Sequence, residues 1–166
     1  MFLRFSKVCD GDRDFLIVRG TGRDVDWSAL ATAMCRRRTG IGAGALLVTS
    51  RVGRTGFRFD AYGADGGARR TDDRAVRSVA LALHEDYGVK ELVLQTPGGR
   101  RRTRLESSPP KVAVARRSMW FWGNPELICT GELRWADTGA RASEARGWVP
   151  WGDGRVLDDR RVRQSS

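Results

Sequence analysis

Hydrophobic and polar residues alternate with two different periods along the first hundred residues, and the switches between them mark out the elements. "FLRFSKV" and "DFLIVRG" are strand-like runs on either side of the polar turn "CDGDR". "DWSALATAMCRRRTG" then changes period: Trp27, Leu30, Ala31 and Met34 stand at i, i+3, i+4 and i+7, with Asp26 as the helix start and arginines in the last turn. "ALLVTSR" and "GFRFDAYG" return to strand spacing, with Phe57, Phe59 and Ala61 alternating in the second. The helical period comes back in "TDDRAVRSVALALHEDYG". Thr71 is the expected N-cap, Val76, Val79, Ala80, Leu83 and Tyr87 make an apolar face, and Gly88 closes the helix. "KELVLQT" is a further strand, followed by the turn "PGG".

The texture changes at residue 100. "RRRTRLESSPPK" reads as a basic, mobile strand and linker, and "KVAVARRSMWFWGNPELICTGELRW" as strand again. From residue 136 the chain is small, charged and Gly-rich, predicting loose packing with disorder over the last ten residues. Five of the six tryptophans fall between 120 and 151. The expected division is a first unit over 1–105, a linker and Trp-rich strand segment over 106–135, and a loosely packed basic tail over 136–166.

Composition narrows the function classes. The apolar runs are too short to cross a bilayer and the N-terminus lacks the order of a signal peptide, so a soluble cytoplasmic protein is expected, with no membrane partner. Three widely spaced cysteines and one histidine offer no metal-ligand spacing. The net charge of +10 is carried by 27 Arg against 3 Lys. That ratio suits anionic partners and equally reflects GC-rich coding. No nucleic-acid-binding signature accompanies it, so nucleic acid is not the expected partner.

Four fragments in order carry a family resemblance. "FSKVCDGDRDFLIV" resembles the diaminopimelate epimerase opening F-x-K-M-H-G-x-G-N-D-F, and "MCRRRTGIGAGALLV" its C-x-R-x-x-G-I-G-A-D-G-L-L segment. "FDAYGADGGARRTDDRAVRSVA" is similar to F-N-A-D-G-S-x-x-x-M-C-G-N-G-x-R-C-x-A, and "ELVLQTPGGRRRTRL" to the strand and turn that follow. The resemblance implies an α+β fold: a single diaminopimelate epimerase-like lobe, its mostly antiparallel sheet wrapped around a central helix, with a remnant or truncated second lobe. It also implies cofactor-independent chemistry on a small acid, in which helix N-termini face the substrate carboxylate. The family's second catalytic segment, A-C-G-T-G, has no counterpart here.

Carried over residue by residue, the family's catalytic cysteine falls on Asp72, and the following Gly and Asn on Asp73 and Arg74. A substrate-binding asparagine falls on Arg13, with Asp14 retained; another falls on Gly63, with Ala64 and Asp65 retained. Cys9 stands at a family histidine, Cys35 at a structural cysteine. These positions make Asp72 and Asp73 acid/base candidates, and Arg13, Asp14, Gly63, Ala64, Asp65 and Arg74 substrate-binding candidates. The same "TDD" reads equally as ordinary helix-start chemistry, because acids in a first turn are stabilised by the dipole, roughly 0.3–1 kcal/mol each. Two functions follow. One is a diverged isomerase or cyclase acting on a carboxylate-bearing or similarly anionic metabolite, in specialised biosynthesis, without the two-thiol mechanism. The other is a non-catalytic descendant that binds a ligand or protein. In the first, a homodimer or partner subunit, or the Trp-rich segment, completes the cleft.

Overall fold

A computed structural model describes residues 1–20, 25–53, 56–107, 109–135 and 145–150. The hairpin predicted around "CDGDR" is β1 (Phe2–Asp10) and β2 (Arg13–Arg19), antiparallel with Asp10 opposite Arg13. Then follow α1 (Trp27–Met34), β3 (Ala45–Val52), β4 (Gly56–Gly63), α2 (Asp73–Tyr87) and β5 (Glu91–Thr96). The chain continues through β6 (Gly99–Ser107), β7 (Pro110–Arg116), β8 (Met119–Gly123), β9 (Glu126–Arg134) and β10 (Ala145–Pro150). All ten strands form one sheet, ordered β10-β9-β1-β2-β3-β4-β5-β6-β7-β8. Among the described residues only β2–β3 and β4–β5 pair in parallel, the first spanned by α1 and the second by α2.

The sheet is packed on both faces over its first strands, which explains the unbroken apolar run in β2. Phe15 and Ile17 point to one core with Leu47, Phe59, Leu94 and Val112, around α2. Leu16 and Val18 point to the other, with Phe5, Leu46, Leu30 and Met34, against α1. Pleat alternation delivers this split.

Helix α2 differs from its expected form. Every residue from Ala75 to Leu83 is buried, so the helix is enclosed on all sides rather than along one apolar face. It contacts β1, β2, β3, β6, β7 and β9 as the sheet curls around it. Full burial of each Val or Leu there contributes about 1.5–3 kcal/mol. The cap is also corrected: Asp72, not Thr71, is the N-cap, in extended conformation, its side chain accepting from the Ala75 N–H at 2.9 Å. Gly88 closes the helix at φ +67° as expected. Helix α1 starts on Asp26 as expected, but it ends at Cys35, so Arg36–Arg38 lie beyond its last turn.

The strand expected in the basic stretch from residue 100 is present. It forms β6 and enters β7 as an antiparallel hairpin, because Thr103 and Leu105 alternate inward beneath the exposed Arg102 and Arg104. The Trp-rich segment supplies β8 and β9 of the same sheet, and β9 returns to pair with β1. Within the segment expected to pack loosely, 145–150 forms β10 against β9; 136–144 and 151–166, including the tail expected to be disordered, lie outside the described residues.

Candidate active site

The start of α2 is where sequence-distant charges converge. Asp72 accepts from Ala75 N–H through Oδ1, while its Oδ2 takes a 2.5 Å bond from the Arg13 guanidinium at the head of β2. Asp73 is held by Arg116 at the end of β7, 2.8 Å away. Arg74 pairs with Asp12 in the β1–β2 turn, and Arg77, one helical turn deeper, donates to Asp10 at 2.7 Å. Four acids and four arginines thus form four pairs, each tying the helix start to a different part of the surrounding sheet. The pairs differ in access. The Arg13 and Asp72 side chains are 56% and 41% exposed, whereas Asp73 is 15% exposed and the Arg77–Asp10 pair is nearly sealed.

Arg77 lies in a seam. A Cβ at Gly123 would collide with its guanidinium, so the glycine at the end of β8 is what lets the arginine lie flat and reach Asp10 on β1. Beside the rim, Phe121 of β8 sits under Arg116, whose guanidinium carbon is 5.8 Å from the ring centroid.

The other expected site residues are placed differently. Asp14, next to Arg13 on the strand, points to the opposite face. There it takes a two-pronged bond from Arg37 (2.9 and 3.0 Å) and one from Gly44 N–H (3.0 Å), with Lys7 at 3.7 Å. Burial alone would raise its pKa, but Arg37, the Gly44 amide and Lys7 together hold its carboxyl below the usual range. Asp14 therefore pins the "GIGAG" turn to β2. Gly63 ends β4 in a tight loop: its N–H donates to Gly67 O, and Asp65 caps Gly67 N–H and pairs with Arg69. Those bonds lower the Asp65 carboxyl as well. Ala64 is exposed on that loop, and Gly66, at φ +80°, fits closely over Ser28 of α1.

Cys9, Cys35 and Cys129 are free, and burial pushes all three thiols up, Cys35 to about 12, with Asp14 adding to the rise at Cys9 and Cys35. His84 faces the carbonyl of Val89 through Nδ1, a bond that ties off the helix end. Among the described residues no group of three or more His, Cys, Asp or Glu is placed to hold a metal.

Of the expected set, then, the fold brings together Arg13, Asp72, Asp73 and Arg74, and sets Asp14 on the other side of the sheet. Asp10, Asp12, Arg77 and Arg116 belong to the cluster and were not anticipated. The one available sign was Arg77, a charge amid the apolar run "VALAL" and its flanks.

This sheet around a buried helix is the fold of the diaminopimelate epimerase-like proteins, present here as a single lobe. The chain is 26% identical over 139 residues to diaminopimelate epimerase of Clostridium perfringens, covering 79% of this chain and 51% of that one. Among solved structures it resembles a hydroxyproline epimerase from Agrobacterium vitis (TM-score 0.53, 14% identity, 68% of this chain and 41% of that one). It also resembles a phenazine biosynthesis protein of the PhzF family from Enterococcus faecalis (TM-score 0.52, 7% identity, 69% and 44%). No family model matches the chain. It spans between 29% and 51% of the length of the curated relatives it matches. No helix among the described residues is long and apolar enough to cross a membrane.

Proposed function

We propose that this chain is a diverged, cytoplasmic isomerase or cyclase for a small carboxylate in a biosynthetic pathway, with Asp72 as the proton-moving group and Arg13 as the anion anchor. The observation that carries this reading is the division of labour on one carboxylate. Oδ1 of Asp72 is locked onto the helix backbone, while Oδ2 is held, among the described residues, only by an exposed arginine at the open end of the helix. A substrate carboxylate that takes over Arg13 releases Oδ2 toward the substrate carbon beside it. Asp72 then accepts a proton from that carbon and returns it at another position of the same molecule, so no external donor is consumed. Asp73, mostly covered and tied to Arg116, holds the far side of the helix start. Neighbours of the same fold with isomerase names, including a methylitaconate-delta-isomerase, are in keeping with the reading. In this reading a second copy, a partner subunit or the Trp-rich segment would complete the cleft.

The test is proton exchange in D2O, followed by NMR over a panel of amino, hydroxy and unsaturated acids. Asp72→Asn is the variant of choice because Asn caps a helix as well as Asp does. Exchange abolished in a normally stable Asp72→Asn protein supports the assignment; undiminished exchange overturns it. The alternative, a non-catalytic binder, draws on the complete pairing of the four acids and the suppressed thiols. Binding of a panel member without exchange by the unmodified chain would favour it.

A further inference from the structure

On the face of β5–β8 turned away from α2 lies a second trough, of about 770 Å³, whose lining includes Glu91, Val93, Gln95, Arg100, Arg102 and Trp120. The cross-strand register explains its shape. Trp120 is paired with Ala115, which lies next in register beyond the Thr103–Val114 pair and so beside Arg102. The small alanine leaves room for the indole to lean across β7, and the Arg102 guanidinium carbon comes to 5.8 Å from its ring centroid. On the other side Arg102 faces Val93 and Arg100 faces Gln95, whereas the next arginine, Arg104, faces Glu91 and pairs with it at 3.3 Å. Charge is therefore balanced at one end of the arginine row and not at the other. Among the described residues, neither Arg100 nor Arg102 has an acidic partner, and both side chains are exposed.

We infer that this trough is a binding site for a small aromatic anion, a planar ring carrying a phosphate or a carboxylate. Arg100 and Arg102 alternate on one strand and present two guanidinium forks to the anion, a geometry suited to planar acidic groups. Trp120 offers a ring face on which a second ring stacks, a contact tolerant of the ring's identity. The volume falls within the range of small-molecule sites, roughly 300–1,000 Å³. The trough and the start of α2 lie on opposite faces of the sheet, so a ligand held here is independent of the proposed reaction.

The experiment is a titration of the full chain at low salt by calorimetry with adenosine monophosphate, benzoate and inorganic phosphate. At least one ring-bearing anion is expected to bind saturably and at least tenfold more tightly than phosphate. Adenosine monophosphate against benzoate tells a phosphate-bearing ligand from a carboxylate-bearing one. Arg102→Gln and Trp120→Leu, both exposed positions, are each expected to weaken that binding at least tenfold, while Asp72→Asn leaves it unchanged. Absence of saturable binding by both ring-bearing anions, phosphate binding as tightly as either, or affinity that survives both trough substitutions would overturn the inference. Loss of affinity in Asp72→Asn would also overturn it, by placing the ligand at the other site.

Discussion

Asp10→Ala strips the carboxylate from the sealed pair at the seam between β1 and β8. Its Oδ2 lies 2.7 Å from Arg77 Nε, and the Arg77 and Asp10 side chains are 10% and 8% exposed, so water cannot replace the lost partner without opening the seam. A buried charge left unpaired in this way costs about 3–5 kcal/mol. Each ~1.4 kcal/mol is tenfold, so the unfolding constant should rise by roughly two to three and a half orders of magnitude. With a urea slope of about 2 kcal/mol/M, the midpoint in equilibrium denaturation should fall by about 1.5–2.5 M. That is a large share of the ~5–15 kcal/mol total expected of a domain. Asp10→Leu combined with Arg77→Met removes both charges and should recover most of the loss, giving a strongly non-additive double-mutant cycle. Gly123→Ala should mimic the single mutant, because its methyl group occupies the space that the guanidinium needs. A loss under ~1 kcal/mol in Asp10→Ala, or additivity in the cycle, would refute the claim that this pair locks α2 into the sheet.

Three further outcomes follow from particular contacts. Asp14 has a folded-state pKa below its unfolded value of about 3.9, so its contribution is complete above that pH and lost as pH falls through the folded value; the acid limb of an unfolding titration should flatten in Asp14→Asn. The three thiols, all pushed up by burial, should react with a thiol reagent at pH 8 far more slowly in the native chain than in urea, and rapid native labelling of Cys9 would contradict its environment. The Ser78 hydroxyl is buried in α2 with no hydrogen-bond partner among the described residues, so Ser78→Ala should stabilise the chain by about 1 kcal/mol in denaturant melts.

Much of this molecule was legible before folding. Hydrophobic period located both helices, the first hairpin and the alternating strand "GFRFDAYG", because each is decided by contacts among near neighbours. Asp26 and Gly88 announced their caps, since capping depends on one residue's conformation and its own side chain. The motif frame placed Asp72 at the start of α2. What the chain's order does not disclose is what those acids touch. The partners of Asp72, Asp73, Arg74 and Arg77 stand 59, 43, 62 and 67 residues away, and only the curling of the sheet around α2 brings them within reach. The same curling buries α2 on every side, which no one-faced pattern predicts, and gives the strand in "RRRTRL" an arginine row outside and a core face inside. Adjacent residues parted for the same reason: Arg13 and Asp14 are neighbours in sequence, but pleating sends one to the start of α2 and the other to the "GIGAG" turn.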